Sequence, residues 1–185
     1  MERTFSQKSE LRRAIRADIR SLSVEERAEA ARQIAAEIEC DPRFRAARTV
    51  AAFMPLGDEP PLREAVERWA QNKRVVVPKV EGDQMSFYDF RAEQMSSGAF
   101  GIDEPQCSEL CPPEQIEVMV VPAVGFTRRG ARMGRGRGYY DRYLGVAEAA
   151  HIYKIGTCFA CQLVDEPRRC SILQLYLAVF PASDC

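Results

Sequence analysis

Residues 118 to 144 read Val-Met-Val-Val-Pro-Ala-Val-Gly-Phe-Thr-Arg-Arg-Gly-Ala-Arg-Met-Gly-Arg-Gly-Arg-Gly-Tyr-Tyr-Asp-Arg-Tyr-Leu. Val118 to Pro122 is an apolar run of strand length, bounded by proline. Tyr139 onward reads as a helix start. Between them Gly134, Gly136 and Gly138 alternate with Arg135 and Arg137. A backbone spaced by glycines can turn several N–H groups toward one anion, because no Cβ blocks the approach. Arg135 and Arg137 add forked donors suited to phosphate. Asp141 adds a hard oxygen ligand of the kind Mg²⁺ prefers. In a sheet protein, ligands bind beyond the carboxyl ends of the strands, and phosphates favour helix N-termini. Topology and chemistry point to a nucleotide triphosphate site. The spacing fits neither a Walker loop nor a dinucleotide fingerprint. Two plainer readings stay open: a glycine-rich turn, and the Gly-Arg repeat of nucleic-acid-binding tails.

Working outward, strands and helices alternate. Leu11, Ile15, Ile19 and Leu22 recur at helical steps, which predicts a helix over 6–22. Ser23 and Glu26 form a capping box for a second helix to about Cys40, ended by Asp41-Pro42. Thr49 to Met54 reads as a strand, Pro60-Pro61 opens a helix to about Asn72, and Arg74 to Pro78 is a buried strand. Met85 to Phe90 alternates, Tyr139 to about Ala150 is helical, and Ile152 to Phe159 and Leu173 to Phe180 are strand-like. Ser96 to Gln115 is expected to be the main long loop. Alternation of this kind predicts an α/β protein with a mostly parallel, covered sheet, as a single domain over 1–185.

The 185 residues carry a net charge of −1, which gives no global attraction to nucleic acid or membrane. Charge is instead local: Arg128 to Arg142 holds six arginines and one acid. No apolar stretch approaches bilayer length, and the N-terminus lacks an apolar signal core. Seven irregularly spaced cysteines predict reduced thiols in a cytoplasmic protein. Cys107, Cys111, Cys158 and Cys161 have the number, and roughly the spacing, of a structural zinc site. The apolar setting of Cys158 favours buried thiols instead. Lys8, Arg12, Arg16 and Arg20 form a second row along the first helix, either a solvated face or a basic arm reaching a bound anion.

These residues resemble the 5-formyltetrahydrofolate cyclo-ligase family, also called methenyltetrahydrofolate synthetases. The likeness rests on Lys8 with Leu11-Arg12, Met54-Pro55 with Glu59, Met85-Ser-Phe87, and Gly98 through Glu104-Pro105. It continues through Val121-Pro122, Phe126, Gly130, Arg132 and Gly-Arg-Gly-Arg-Gly-Tyr-Tyr-Asp, then Lys154-Ile-Gly156 and Gln162, covering roughly 5 to 165. The resemblance implies a three-layer α/β sandwich. It also implies ATP- and Mg²⁺-dependent conversion of 5-formyltetrahydrofolate to 5,10-methenyltetrahydrofolate. Lys8 and Arg12 would hold ATP phosphates from the first helix. Arg132, Gly134, Arg135, Gly136, Arg137, Gly138, Tyr139 and Tyr140 would wrap the triphosphate, with Arg137 the residue most directly catalytic. Asp141 would bind Mg²⁺. Met54 and Glu59 would contact the pterin, with Tyr139 and Tyr140 lining the folate side. The implied partners are ATP and 5-formyltetrahydrofolate, with no nucleic acid and no membrane.

The tail departs from that pattern. The family carries a His-Asp pair and a further aspartate before its last strand. Residues 166–185 carry none of these and are apolar and cysteine-containing. A second metal-supporting carboxylate is therefore missing, with Asp165 a substitute. The segment is still expected to pair with the sheet. The alternatives to the enzyme are a family member with reduced or lost activity and a non-enzymatic nucleotide- or RNA-binding protein.

Overall fold

A computed structural model describes residues 3–98, 101, 103–106, 109–164, 171–172 and 176–179. Helix α1 (Arg3–Ser21) leads into α2 (Val24–Cys40). The Ser23 hydroxyl accepts from the Glu26 N–H and the Glu26 carboxylate accepts from the Ser23 N–H, so the predicted capping box is formed. Asp41-Pro42 ends α2 and also starts a five-residue helix, α3 (Pro42–Ala46), because the Asp41 carboxylate accepts from the Arg43 and Phe44 N–H groups. Strand β1 (Thr49–Ala51) stops three residues earlier than expected, and the chain leaves the sheet after Ala52, whose N–H still donates to the Val76 carbonyl at 2.9 Å. Helix α4 (Arg63–Trp69) follows, then β2 (Arg74–Glu81) and β3 (Gln84–Asp89), paired antiparallel around Gly82, whose φ is +62°.

Among its described residues, the segment expected to be a long loop holds three short strands, β4 (Met95–Ser97), β5 (Asp103–Pro105) and β6 (Leu110–Cys111). Strand β7 (Val118–Pro122) has the predicted bounds. It does not hand the chain directly to the glycine run. A small hairpin, β8 (Gly125–Phe126) and β9 (Ala131–Met133), intervenes, turning at Gly130, whose φ is +82°. Helix α5 (Tyr139–Leu144) is six residues rather than the expected twelve. Gly145 and a 3₁₀ turn over Ala147–Ala149 take its place. Strands β10 (Tyr153–Cys158), β11 (Ser171–Ile172) and β12 (Tyr176–Val179) complete the described residues.

The main sheet has the order β12-β10-β7-β1-β2-β3-β6. Pairings from β12 to β2 are parallel, and those to β3 and β6 are antiparallel. The tail thus supplies an edge strand at Tyr176–Val179, as expected of it; Asp165, Leu173 and Leu175 lie outside the described residues. Side chains alternate between faces with the strand period. Val50, Val75, Val77, Val118 and Val120 pack on one face against Ile34, Ile38, Phe44 and Trp69 from α2, α3 and α4. Ala51, Val76, Met119 and Val121 pack on the other with Leu144 of α5, Ala149 and Ile152. Each such fully buried aliphatic side chain contributes about 1.5–3 kcal/mol, so both layers are anchored. Helix α1 sits at the end of the sandwich, where Ile15 and Ile19 meet Val124, Met133 and Phe159. Cys111 and Cys158 are buried in separate apolar clusters, and Cys107 lies outside the described residues.

Candidate active site

A cavity of about 420 Å³ opens beyond the carboxyl ends of β1, β2 and β7. The chain leaving β1 provides Phe53, Met54, Leu56 and Glu59, β2 provides Pro78 and Val80, and the glycine run provides the rest of one wall. Of the residues singled out from sequence, Met54, Glu59, Arg132, Gly134, Arg135, Arg137, Gly138, Tyr139, Tyr140 and Asp141 line it. Arg12 reaches it from beneath: its Nε donates to the Gly134 carbonyl at 3.0 Å. Lys8, one helical turn earlier, and Gly136 are not among the lining residues.

Backbone geometry in the run follows its glycines. Gly136 and Gly138 have φ of +100° and +70°, a region strained for any residue with a Cβ. Gly134 has an ordinary φ but a tight neighbour. A Cβ there would lie 2.8 Å from Arg132 Nη1. Arg132 is 6% exposed. Its Nε donates to the Pro122 carbonyl at 2.8 Å, its Nη1 lies 3.4 Å from Asp141 Oδ1, and its guanidinium sits 4.9 Å from the Tyr140 ring centre. Burial lowers its pKa, with Asp141 opposing. Arg132 is thus a tether joining the end of β7 to the start of α5, rather than an open donor. Helix α5 is too short for its dipole to define the site, so any anion must be met by loop N–H groups and arginine side chains.

Arg135 spans the cavity mouth. Its Nε and Nη2 donate to Glu59 Oε1 at 3.3 and 2.9 Å, and its Nη1 donates to Asp58 Oδ2 at 3.1 Å. Nη2 also contacts Asp58 Oδ1. Glu59 is buried, and its second oxygen accepts from the Leu56 N–H at 2.9 Å. Burial raises the Glu59 carboxyl above its ordinary value, and Arg135 only partly offsets this. Burial also pushes Asp58 up, but Arg135 and Arg16 outweigh it and leave that carboxyl lowered. Tyr140 is pushed upward by burial and by Glu59, so its phenol stays a neutral donor. Arg137 is exposed at the rim, and its carbonyl accepts from Arg142 Nη1 at 3.0 Å. Arg142 Nη2 and Tyr139 Oη donate to the Asp83 and Gly82 carbonyls, which closes one side with the β2–β3 turn.

Asp141 borders the cavity with its side chain 40% exposed. Among the described residues no group of three or more His, Cys, Asp or Glu side chains is arranged to hold a metal. Mg²⁺ is commonly held by one or two carboxylates together with substrate phosphates and water. One carboxylate beside an arginine-lined cavity fits such a shared site and does not fit a cage of protein ligands alone.

Arg16, from the basic row named on α1, lines the cavity, while Asp58 and Glu104, which border and line it, have no site role in the sequence reading. Arg16 belongs to the row that includes Arg12, one turn on, and Asp58 neighbours Glu59, so both signals were present. Glu104 is 7% exposed and lines the cavity from β5. Gln162 is a structural tie: its Nε2 donates to the Ala123 carbonyl at 2.8 Å and its Oε1 accepts from the Phe159 N–H at 2.7 Å.

Fold and site together define an α/β protein with an arginine- and glycine-lined cavity at its strand ends. The sequence model of the 5-formyltetrahydrofolate cyclo-ligase family matches residues 4–167. A 5-formyltetrahydrofolate cyclo-ligase of Escherichia coli K12 is 28% identical over 159 residues, covering 82% of this chain and 87% of the relative. The NMR structure of 5,10-methenyltetrahydrofolate synthetase from Aquifex aeolicus superposes with a TM-score of 0.82 at 32% identity, covering 93% of this chain and 89% of that one. The Mycoplasma pneumoniae 5,10-methenyltetrahydrofolate synthetase gives 0.73 at 28% identity, covering 93% and 96%. The chain belongs to the 5-formyltetrahydrofolate cyclo-ligase family, a family of enzymes.

Proposed function

We propose that this protein converts 5-formyltetrahydrofolate to 5,10-methenyltetrahydrofolate with ATP and Mg²⁺, in the cytoplasm. The observation that carries the reading is the meeting of Arg135 with Glu59. It brings the arginine-glycine run and the acidic loop after β1 to one cavity, so a triphosphate on one side and a pterin on the other would meet between them.

The formyl group is an amide and a poor electrophile. Its oxygen takes the γ-phosphoryl group and ADP departs. N10 of the same folate then attacks the formyl carbon, loses its proton to water, and phosphate leaves with the former formyl oxygen. Such chemistry depends on positioning and charge neutralisation more than on acid–base groups. Arg137 at the rim and Arg135 at the mouth would neutralise charge on the transferred group, with Lys8 and Arg12 supporting the phosphates from α1. N–H groups between Gly134 and Gly138 would point at phosphate oxygens. Glu59 would accept from the amino-pyrimidine edge of the pterin, against Met54. Tyr139 and Tyr140 would line the folate side. Asp141 would hold Mg²⁺, which when bound neutralises phosphate charge and orients the triphosphate.

The test is initial-rate measurement of methenyl product absorbance, with ATP, Mg²⁺ and 5-formyltetrahydrofolate omitted in turn. Product formation that requires all three supports the reading. No product with all three present, from folded protein, overturns it.

A further inference from the structure

Arg135 is held in this structure by two carboxylates at once. A phosphate that claims its guanidinium must take it from Asp58 and Glu59. The consequence for the two carboxylates differs. Glu59 keeps its Leu56 N–H and gains a place for the pterin edge. Asp58 would be left beside Glu59 as a second, half-buried negative charge. What stands ready there is Arg16, whose Nε lies 3.3 Å from Asp58 Oδ2. That Nε is buried and, among the described residues, has no hydrogen-bond partner: the ion pair is in place, but its donor geometry is not satisfied. Arg16 therefore has unspent donor capacity within reach of the carboxylate that Arg135 would vacate. Arg12, one turn earlier on the same helix, holds the glycine run by the Gly134 carbonyl. Helix α1 thus presents one arginine to each of the two loops that Arg135 joins.

We propose that Asp58 and Arg16 are positioning residues for the reaction: Asp58 competes with nucleotide phosphate for Arg135, and Arg16 takes over Asp58 when Arg135 changes partner. The inference rests on the assignment of Arg135 to phosphate made above. It predicts effects of opposite sign at two residues in direct contact; independent charges would give the same signs but would add in the double variant, so the double variant is what discriminates. Asp58→Asn removes the competitor and tightens nucleotide binding. Arg16→Gln leaves Asp58 with Arg135 alone and weakens it. Each effect is about two- to fivefold, the range of a partly exposed charge pair. Arg16→Lys restores a cation and returns affinity toward the wild type. In Asp58→Asn/Arg16→Gln the arginine substitution loses its effect, because Arg16 acts through Asp58.

The experiment is calorimetric titration of Mg–ATP into the full-length protein without folate, for these variants and Arg135→Ala, with KM and kcat for ATP in parallel. The expected result is tightening in Asp58→Asn, weakening in Arg16→Gln, and the Asp58→Asn value in the double variant. The change in Arg16→Gln falls on KM rather than kcat, since the competition exists in the free enzyme. Weakening in both single variants, no change in Asp58→Asn, or an undiminished Arg16→Gln effect in the double variant overturns the proposal while Arg135→Ala still weakens binding. Unchanged affinity in Arg135→Ala instead overturns the assignment of Arg135 to phosphate, and this proposal with it.

Discussion

Gly134→Ala isolates the contact that sets the shape of the glycine run. The backbone at Gly134 has no positive φ, so alanine carries no dihedral penalty there. The added Cβ would lie 2.8 Å from Arg132 Nη1, 3.2 Å from Nη2 and 3.3 Å from Cζ. A guanidinium on a flexible stem could normally step aside. This one is 6% exposed, bonded to the Pro122 carbonyl, and stacked over Tyr140. Moving it gives up a buried charged hydrogen bond, which costs about 1–3 kcal/mol. For a protein of this size that lowers the midpoint of thermal unfolding by about 3–10 °C. It also displaces the run that carries Arg135 and Arg137, so kcat/KM for ATP falls. The assay is circular dichroism melting with steady-state kinetics, repeated in an Arg132→Met background. There the guanidinium is absent and most of the alanine penalty disappears. An unchanged midpoint in Gly134→Ala, or an equal loss in both backgrounds, refutes the claim that Arg132 buttresses the run.

Arg137→Ala is exposed, so its melting midpoint stays near that of the wild type while turnover falls about a hundredfold or more, the usual loss of a donor to developing charge; wild-type turnover excludes a catalytic role. Asp141→Asn raises the Mg²⁺ concentration for half-maximal rate at saturating ATP, because an amide oxygen offers a hard cation no net charge; an unchanged half-saturation point makes Asp141 only the partner of Arg132. Glu59→Gln weakens folate binding far more than ATP binding, and equal losses by calorimetry count against a pterin contact. Burial raises the Glu59 carboxyl above 4.5, so as pH falls toward that raised value the carboxylate neutralises and the folate KM climbs. The matching stability term has the opposite direction: it is fully present below 4.5 and is lost as pH rises through the raised folded value. A folate KM with the same pH profile in Glu59→Gln contradicts the assignment.

Much of the fold was legible because its main strands are apolar runs with sharp ends. Val118–Pro122 and the Val-Val-Val of β2 are buried as their composition implies, and the capping box at Ser23 marks a real helix start. Strands of two or three residues carry no usable period, which is why β4, β5, β6 and the β8–β9 hairpin were not visible. Gly130 marks the hairpin turn, but Thr127-Arg-Arg-Gly suits an open loop equally well. The helical propensity of Ala147 to Ala150 predicts a longer α5, whereas Gly145 breaks the run. At the site, residue types predict phosphate chemistry, and the cavity gathers most of the residues named for it. Partner choice was not legible. That Arg132 is buried as a tether, and that Arg135 grips Asp58 and Glu59, depends on how two loops far apart in sequence meet. No local pattern encodes that.

The measurement that bears most directly on the central claim is product formation by wild-type and Arg135→Ala protein, at matched folding and with saturating ATP, Mg²⁺ and 5-formyltetrahydrofolate. The account predicts methenyl product from the wild type only when all three are present, and a rate at least tenfold lower in Arg135→Ala, about 1.4 kcal/mol of lost transition-state stabilisation. Absence of product from folded wild-type protein, or full wild-type rate in Arg135→Ala, would contradict it.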